Sequence, residues 1–233
     1  MHDIFTSKEE KEKGQQNLIK IREENKRMEI MKMRAERDEQ LKKSLPPLPN
    51  KKYQVIYMDP PWRYNFSRSV TREIENQYPT MELEEIKALP INRLAEDDSV
   101  LFLWATSPKL EEALQVINAY GFKYITSAVW DKVHIGMGYY FRSRHEYLLI
   151  GKKGSLPVPK PENRPASIIN IPREKHSKKP VEFYVIIEKM YPDATKIEIF
   201  SRANKKGWDT WGYEAGDLPA PEYNKILLEK WEE

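Results

Sequence analysis

The chain has 233 residues, of which 39% are hydrophobic and 11% aromatic, enough for one α/β domain with a core and an appendage but not for two full domains. It has no cysteine, no metal-ligand spacing among its four histidines and no apolar run near the roughly 20 residues of a membrane span, so we expect a soluble, cytoplasmic protein without disulfides, metal or membrane contact. The formal net charge of +3 is too small for a strong overall field, so any nucleic acid must be bound through local patches.

The N-terminal segment predicts a long charged helix. Residues 7–43 contain one glycine, no proline, twelve Lys or Arg and nine Asp or Glu, so the excess positive charge of the chain lies here. Ser7 and Glu10 have the spacing of a capping box. Because the apolar positions are too irregular for a regular coiled coil, three interpretations stay open: a solvated helix, a helix that pairs with a second chain or a second copy, and a helix that lies along a nucleic-acid backbone.

A proline-rich linker follows this helix. Residues 45–49, Leu-Pro-Pro-Leu-Pro, end the helix because proline lacks the amide donor and clashes with the preceding turn. We therefore divide the chain into a helical extension at 1–44, the linker, a folded domain at 50–216 and a C-terminal tail at 217–233 with a short helix.

Strand and helix patterns alternate along the folded domain. Such alternation indicates a mostly parallel sheet with helices on both faces, and ligands then bind at the carboxyl ends of the strands. The predicted strands are Tyr53–Met58, Ser99–Trp104, Lys123–Trp130, Glu146–Ile150, Ser167–Ile171 and Thr195–Phe200. The predicted helices are Glu82–Leu89, Pro108–Tyr120 and Pro180–Met190.

The motif Asp59-Pro60-Pro61-Trp62 directly follows the first strand. The carboxylate and the Pro60 carbonyl, which we expect to face no local donor, offer two hydrogen-bond acceptors, and the indole offers a stacking surface. Two acceptors that take the N–H hydrogens of an exocyclic base amine favour a pyramidal nitrogen aimed at a methyl donor, with no strong base required. In a duplex that amine is inaccessible, so the base must be unpaired or flipped out. A plain turn after a strand is the alternative interpretation of the four residues.

Six blocks of sequence, in order, carry a resemblance to a known family. They are YMDPPW at 57–62, ENQYPTM at 75–81, LFLWAT at 101–106, WDKVHIGMGYYFRSRHEYLLIGKKG at 130–154, SKKPVEFYVIIEKMYP at 177–192 and IEIFSRANKKGWDTWGYE at 197–214. On these blocks the chain resembles the DPPW-type, methyltransferase-like adenine N6-methyltransferases of prokaryotic or phage type. The resemblance implies a Rossmann-like α/β methyltransferase sheet in permuted order, with the catalytic motif early and the cofactor strand late. No glycine-rich G-x-G-x-x-G loop follows the first strand, which argues against a dinucleotide cofactor.

The resemblance also implies S-adenosylmethionine as the cofactor. Lys179 is expected to reach the carboxylate of its methionine moiety from a position just before a helix N-terminus. For Glu198, a structural role and a direct role stay equally open. The family pattern has asparagine where this chain has Tyr213, which places the local cofactor geometry in doubt. The cofactor contacts implied by position are Asp59, Lys179, Arg202, Asn204 and Glu214.

Two polar segments are expected to meet the substrate. One follows the catalytic motif, and the other is the loop at 132–144, whose glycines, cations and aromatics suit gating over a flipped base and contact with phosphates. An ordinary surface loop is the alternative, and a structural hydrogen bond is the alternative for the histidine at its end. The substrate residues inferred from these segments and from the resemblance are Arg63, Tyr64, Tyr78, Arg142, Arg144, His145 and Glu146.

The sequence therefore predicts an S-adenosylmethionine-dependent methyltransferase that acts on the N6 amine of adenine in nucleic acid. DNA is favoured over RNA because the compact chain lacks an additional RNA-binding module and looks prokaryotic or phage-like. The alternative function is a catalytically silent or partner-dependent nucleic-acid-binding subunit of a methyltransferase complex. Silent subunits of this family usually lose the Asp-Pro-Pro-Trp motif, which is intact here.

Overall fold

The computed structural model describes residues 12–22, 24–25, 28–29, 32, 36, 46–64, 80–136, 138, 140–173, 179–201 and 203–212. The chain divides into two compact units, residues 1–44 with 63–80, and residues 45–62 with 81–233. In the first unit, the described residues between 12 and 36 are helical and exposed, which agrees with the predicted charged helix. No helix in the described part of the chain is both long and apolar enough to cross a membrane.

The described residues of the second unit form a seven-stranded sheet. Its strands are β1 Tyr53–Met58, β2 Ala95–Ala105, β3 Lys123–Asp131, β4 His145–Lys153, β5 Ile168–Asn170, β6 Lys196–Ile199 and β7 Asp209–Trp211. They lie in the order β5-β3-β4-β2-β1-β6-β7. Strand β4 is antiparallel to β2 and β3, and the other neighbours are parallel. The predicted mostly parallel sheet is confirmed.

Helices cover both faces of this sheet. They are α1 Leu83–Lys87, α2 Ile91–Leu94, α3 Leu110–Ala119 and α4 Glu182–Met190, with short 3-10 turns at Ser107–Lys109 and Pro161–Asn163. Phe183 and Ile187 of α4 join the core cluster on the face that carries Tyr57 and Trp104. On the other face, a Cβ added to Gly151 of β4 would lie 3.0 Å from the Ile117 side chain of α3, so the glycine permits close packing.

The sequence predictions differ from the observed elements mainly at the ends. Strand β2 begins at Ala95 instead of Ser99. The acidic residues 96–98 do not show the apolar pattern of a buried strand, although Ala95 pairs with Tyr53 of β1. Helices α3 and α4 begin at Leu110 and Glu182, two residues later than predicted. Helix α2 and strand β7, of four and three residues, were not predicted, because so short a segment shows no periodicity.

Strand register brings several chain segments to one edge of the sheet. Met58 at the end of β1 pairs with Leu103 of β2 and Ile199 of β6. Because β4 runs the opposite way, its first residue pairs with Asp131, the last residue of β3. The residues after β1, β2, β3 and β6 and the first residues of β4 therefore lie at the same edge, which we call the carboxyl edge.

Aromatic side chains form the core beneath the carboxyl edge. The indole Nε1 of Trp104 donates a 2.7 Å hydrogen bond to the Tyr57 hydroxyl, and both side chains are fully buried. The Tyr57 ring also meets the Tyr184 ring edge-on at 5.2 Å between centroids. Burial raises the pKa of the Tyr57 hydroxyl well above its ordinary value, so this side chain stays neutral and serves as an acceptor.

The Trp104–Tyr57 hydrogen bond gives a test of this core. Tyr57→Phe leaves the buried Trp104 N–H without its acceptor, and we expect the free energy of unfolding to fall by about 1–3 kcal/mol. Urea denaturation measures the change. Tyr124→Phe, at a ring that is 40% exposed, is the matched control and should change stability by less than about 0.5 kcal/mol. Equal stability of the two variants would contradict this role for the bond.

Candidate active site

Two backbone hydrogen bonds fix the Asp59-Pro60-Pro61-Trp62 segment directly after β1. The Pro60 carbonyl accepts the Trp62 N–H at 2.8 Å, which closes a tight three-residue turn, and the Pro61 carbonyl accepts the Met81 N–H at 2.8 Å. The expectation that the Pro60 carbonyl faces no local donor is therefore wrong, because the turn returns the Trp62 amide to it. A carbonyl oxygen has two lone pairs, so Pro60 keeps one acceptor position.

The Trp62 side chain lies inside the protein. It is 4% exposed, and its indole Nε1 donates a 3.1 Å hydrogen bond to the Trp104 carbonyl at the end of β2. This differs from the open stacking surface expected from the sequence. The buried bond anchors the turn to the neighbouring strand and thereby fixes the position of Asp59. Contact between Trp62 and a base stays a prediction.

Four charged side chains form an alternating row along the carboxyl edge. The Lys179 ammonium lies 2.7 Å from Oδ2 of Asp59 and 3.3 Å from Oε2 of Glu146. The other Glu146 oxygen, Oε1, lies 2.7 Å from the Lys132 ammonium. We call Asp59, Lys179, Glu146 and Lys132 the charge row; the two carboxylates balance the two ammonium groups.

The charge row is largely shielded from solvent. Its side chains are only 13–22% exposed, and the Lys179 ammonium lies 5.3 Å above the centre of the Trp104 ring. Burial by itself would raise the pKa of Glu146, but the charges of Lys179 and Lys132 outweigh it and hold that pKa below its ordinary value. Glu146 therefore stays ionised and fixes both lysines. Pairing at low exposure makes the row sensitive to the loss of any member.

A third carboxyl group, that of Glu198, lies on β6. It is buried, its Oε1 accepts a 2.8 Å hydrogen bond from the Tyr184 hydroxyl, and its Oε2 lies 2.8 Å from the Ser201 hydroxyl oxygen. Burial raises its pKa to about 7, and the negative charge of Asp59 adds to the effect. The Ser201 hydroxyl also bonds the Ala203 carbonyl at 2.7 Å, so Glu198 secures the turn after β6. Phe200, directly before Ser201, has a φ of 65°, and the hydrogen bonds of Ser201 hold this strained conformation.

The loop between β3 and β4 is anchored at its base. Arg144 forms a two-bond ion pair with Asp131, at 2.6 and 2.7 Å, and this pairing lowers the pKa of the Asp131 carboxyl. In the structure the charge of Arg144 braces the loop, and its contact with phosphates stays a prediction. His145 lies 3.1 Å from the Ser107 hydroxyl, which agrees with the structural alternative for this residue. The Arg142 side chain is exposed.

The structure brings together three of the site residues that were inferred from sequence: Asp59, Lys179 and Glu146. Asn204 lies in the turn after β6, where its side chain accepts a 2.7 Å hydrogen bond from Thr210. Arg63 and Tyr64 belong to the other unit. Tyr78, Arg202, Tyr213 and Glu214 lie outside the described residues.

Two charged residues of the site were missed by the sequence reasoning. Asp131 and Lys132 follow one another at the end of β3, where one braces the loop and the other completes the charge row. The available signal was position, since ligands of an open α/β sheet bind at the carboxyl ends of its strands, where polar residues can face them. In the described part of the chain, no group of three or more His, Asp or Glu residues is arranged to hold a metal ion.

Comparison with known proteins agrees with this geometry. The MT-A70 family model matches residues 53–214. The chain is 38% identical over 191 residues to the type II methyltransferase M.MunI of Mycoplasma sp, covering 74% of this chain and 82% of that protein. It is 29% identical over 171 residues to the N(6)-adenosine-methyltransferase catalytic subunit METTL3 of Homo sapiens and to the MT-A70-like protein of Drosophila melanogaster. The chain spans 28% and 26% of the length of these two proteins.

The raised pKa of Glu198 predicts a pH-dependent stability. Folding raises this pKa from 4.5 to about 7. Between these values the unfolded chain has released a proton that the folded chain keeps, so the free energy of unfolding falls as the pH increases, by up to roughly 3 kcal/mol. Glu198→Gln removes the titration and should flatten this decrease.

Urea denaturation of both proteins between about pH 4.5 and 8 measures the effect. Glu84→Gln, at an exposed carboxylate of α1, is the matched control and should keep the wild-type slope. The same slope in the Glu198→Gln variant would show that this carboxyl group does not titrate in that range.

Proposed function

The chain belongs to the MT-A70 family, and we propose that it transfers a methyl group from S-adenosylmethionine to the N6 amine of adenine in DNA. Family membership makes it a methyltransferase, and the predicted Rossmann-like fold class is confirmed. The observation that carries the proposal is the Asp59–Lys179 ion pair, placed at the carboxyl edge directly after β1. It supplies a fixed carboxylate acceptor and a fixed cation in one place, as the reaction requires.

The charge row fits the cofactor chemically. S-adenosylmethionine has an amino group and a carboxylate at one end of the molecule and, when bound, supplies an electrophilic methyl group from its sulfonium. Asp59 and Lys179 lie 2.7 Å apart and carry the two charges complementary to that end. We propose that each exchanges its partner in the ion pair for a group of the cofactor. Glu146 keeps Lys179 in place during this exchange, because it holds the ammonium from the other side.

The same carboxylate can prepare the adenine amine. The lone pair of that amine is delocalised into the ring, so the nitrogen is a poor nucleophile until its hydrogens are held by acceptors. Asp59 supplies one acceptor and the remaining lone pair of the Pro60 carbonyl supplies another. A negative charge at the amine also stabilises the positive charge that grows on nitrogen as the methyl group arrives. The buried Trp62–Trp104 hydrogen bond keeps these acceptors in a constant position.

DNA is the favoured substrate. The relative with the higher identity and coverage is a type II methyltransferase, a designation used for DNA modification, and the chain spans 82% of its length. The METTL3-type relatives have most of their length outside the match. We further propose that the remaining residues inferred from sequence serve the two ligands. They are Arg202, Asn204 and Glu214 for the cofactor, and Arg63, Tyr64, Tyr78, Arg142, Arg144, His145 and Glu146 for the substrate.

Replacing Asp59 tests the chemistry. Asp59→Asn keeps the size of the side chain but removes the charge, and we expect methyl transfer to fall by at least about 100-fold. The assay measures transfer of labelled methyl from S-adenosylmethionine to unmethylated plasmid DNA and to RNA transcribed from it, followed by nucleoside analysis. Wild-type product should be N6-methyladenine on the DNA. Glu84→Gln is the charge-matched control, and circular dichroism checks the fold.

Three outcomes would contradict parts of this proposal. Methyl transfer by Asp59→Asn at the wild-type rate would remove that residue from the mechanism. Methylated product on RNA alone would show that the substrate is RNA and not DNA. No product on either polymer, with cofactor binding still measurable by calorimetry, would favour the partner-dependent or silent-subunit alternative.

The N-terminal extension is proposed to serve binding or self-association, not folding of the domain. Its described residues are helical and exposed, with apolar side chains such as Leu18 and Met28 open to solvent. We expect deletion of residues 1–44 to weaken DNA binding or to lower the mass measured by light scattering, while the thermal unfolding midpoint changes little. Unchanged DNA affinity together with unchanged mass would contradict the proposal.

A further inference from the structure

The described residues of the loop at 132–144 form a narrow finger. The Lys132 N–H donates to the Arg144 carbonyl at 2.8 Å, and the Gly136 N–H donates to the Ser143 carbonyl at 2.6 Å, so the two arms run side by side. A Cβ added to Gly136 would lie 2.7 Å from the Ser143 oxygen, which no side chain tolerates. The arms are therefore too close at Gly136 and Ser143 for a side chain between them, and we call the described residues within 132–144 the finger.

Among the described residues of the finger, two adjacent aromatic side chains are exposed. Tyr140 is 98% exposed and Phe141 is 89% exposed. Burying an aromatic ring is strongly favourable, so adjacent rings held almost entirely in water indicate a surface that is covered when a partner binds. The close approach of Gly138 to the Phe141 carbonyl fixes the bend directly beside them.

The base of the finger is part of the candidate site. Lys132 is a member of the charge row, through its 2.7 Å ion pair with Glu146. The Arg144–Asp131 ion pair braces the other arm at the same level. Val133 follows Lys132 with a φ of 65°, a strained conformation for a β-branched residue, and Asp131 holds it by accepting the Val133 N–H at 2.8 Å. The finger is thus firmly fixed next to Asp59 and Lys179.

The chemistry of the finger fits a nucleic acid better than a protein. Residues 132–145 contain two lysine or arginine residues besides Lys132 and two histidines, but no Asp or Glu. The Arg142 side chain is exposed, and its Nε donates a 3.2 Å hydrogen bond to the Gly136 carbonyl. A two-stranded ribbon can enter the major groove of a duplex, where its cations reach the flanking phosphates, and aromatic rings meet base faces where a base has left the stack. Because the finger stands at the catalytic edge, the molecule that must reach it is the substrate.

We infer that the finger enters the DNA duplex and that Phe141, supported by Tyr140, occupies the space left in the stack when the target adenine is flipped out. This inference rests on the proposed function. Flipping requires unstacking and unpairing, and an apolar side chain inserted between base steps offsets part of that loss. The hydrogen bonds and ion pairs at the base of the finger hold its backbone in place, so less conformational freedom of the backbone is lost on insertion.

The test compares paired and unpaired target bases. Both duplexes contain the target sequence that was identified on the methylated plasmid. In one the target adenine lies opposite thymine, and in the other it lies opposite an abasic site. Flipping requires less energy in the second duplex because no base pair is broken. We expect Phe141→Ala to lower kcat/KM at least about tenfold on the paired duplex and less than about threefold on the abasic duplex. Phe141→Trp should restore activity on the paired duplex. Tyr124→Ala, at an exposed ring distant from the carboxyl edge, is the control and should match wild type on both.

A direct measurement of flipping accompanies the kinetics. With 2-aminopurine in place of the target adenine, wild-type enzyme should increase its fluorescence, and Phe141→Ala should not. Equal loss of activity on both duplexes with normal flipping would overturn the inference. A lower mass by light scattering, together with equal losses, would assign the rings to a contact between chains and would also overturn it. Absence of methylation by the wild-type enzyme on either duplex would instead overturn the proposed function itself.

Discussion

The Asp59–Lys179 ion pair is the interaction on which the rest of the site depends. Two opposite charges at low exposure are stable only when both are present and well placed, because a single buried charge loses its hydration without compensation. Glu146 gives Lys179 a second partner, and Lys132 gives Glu146 a second partner in turn. Strands β1, β3 and β4 and the segment before α4 must therefore keep a fixed spacing at the carboxyl edge. The sheet register provides this spacing.

The aromatic core beneath the row has an electrostatic role as well as a packing role. Trp104 presents its ring face to Lys179 and its indole N–H to Tyr57, so one side chain supports a cation above and a neutral acceptor below. Tyr184 adds a hydrogen bond to Glu198. This layer separates the ionised row from a carboxyl group whose pKa lies near 7. Glu146 and Glu198 thus differ in pKa because their surroundings differ: two cations lower the pKa of Glu146, and burial raises that of Glu198.

Local features of the sequence were sufficient to predict much of this protein. The buried strand before Asp59 and the order of the six blocks identified the fold class and the family, and they predicted the position of the candidate site. Lys179 and Glu146 followed from the resemblance, and the structure places them against each other. These features are readable because they depend on residues close in the chain or on a recognised pattern.

What could not be predicted depends on contacts between distant segments. Lys132 joins the charge row only because β3 and β4 pair in a register that no local pattern fixes. Trp62 is buried because a carbonyl 42 residues away accepts its indole N–H. The Pro60 carbonyl accepts the Trp62 N–H in a tight turn that the sequence pattern did not indicate. The stiff Asp-Pro-Pro-Trp sequence predicted the place of the site, but not which of its groups face inward.

The neutrality of the charge row affects how ligand binding depends on ionic strength. The amino and carboxylate groups of the proposed cofactor would replace one partner on Asp59 and one on Lys179, so this end of the molecule would add no net charge to the edge and should release few counterions there. DNA bound through the cations proposed to meet it should release counterions in proportion to the phosphates contacted. Added salt should therefore weaken the binding of DNA more than the binding of the cofactor. Salt concentration would then distinguish the two ligands proposed for this site.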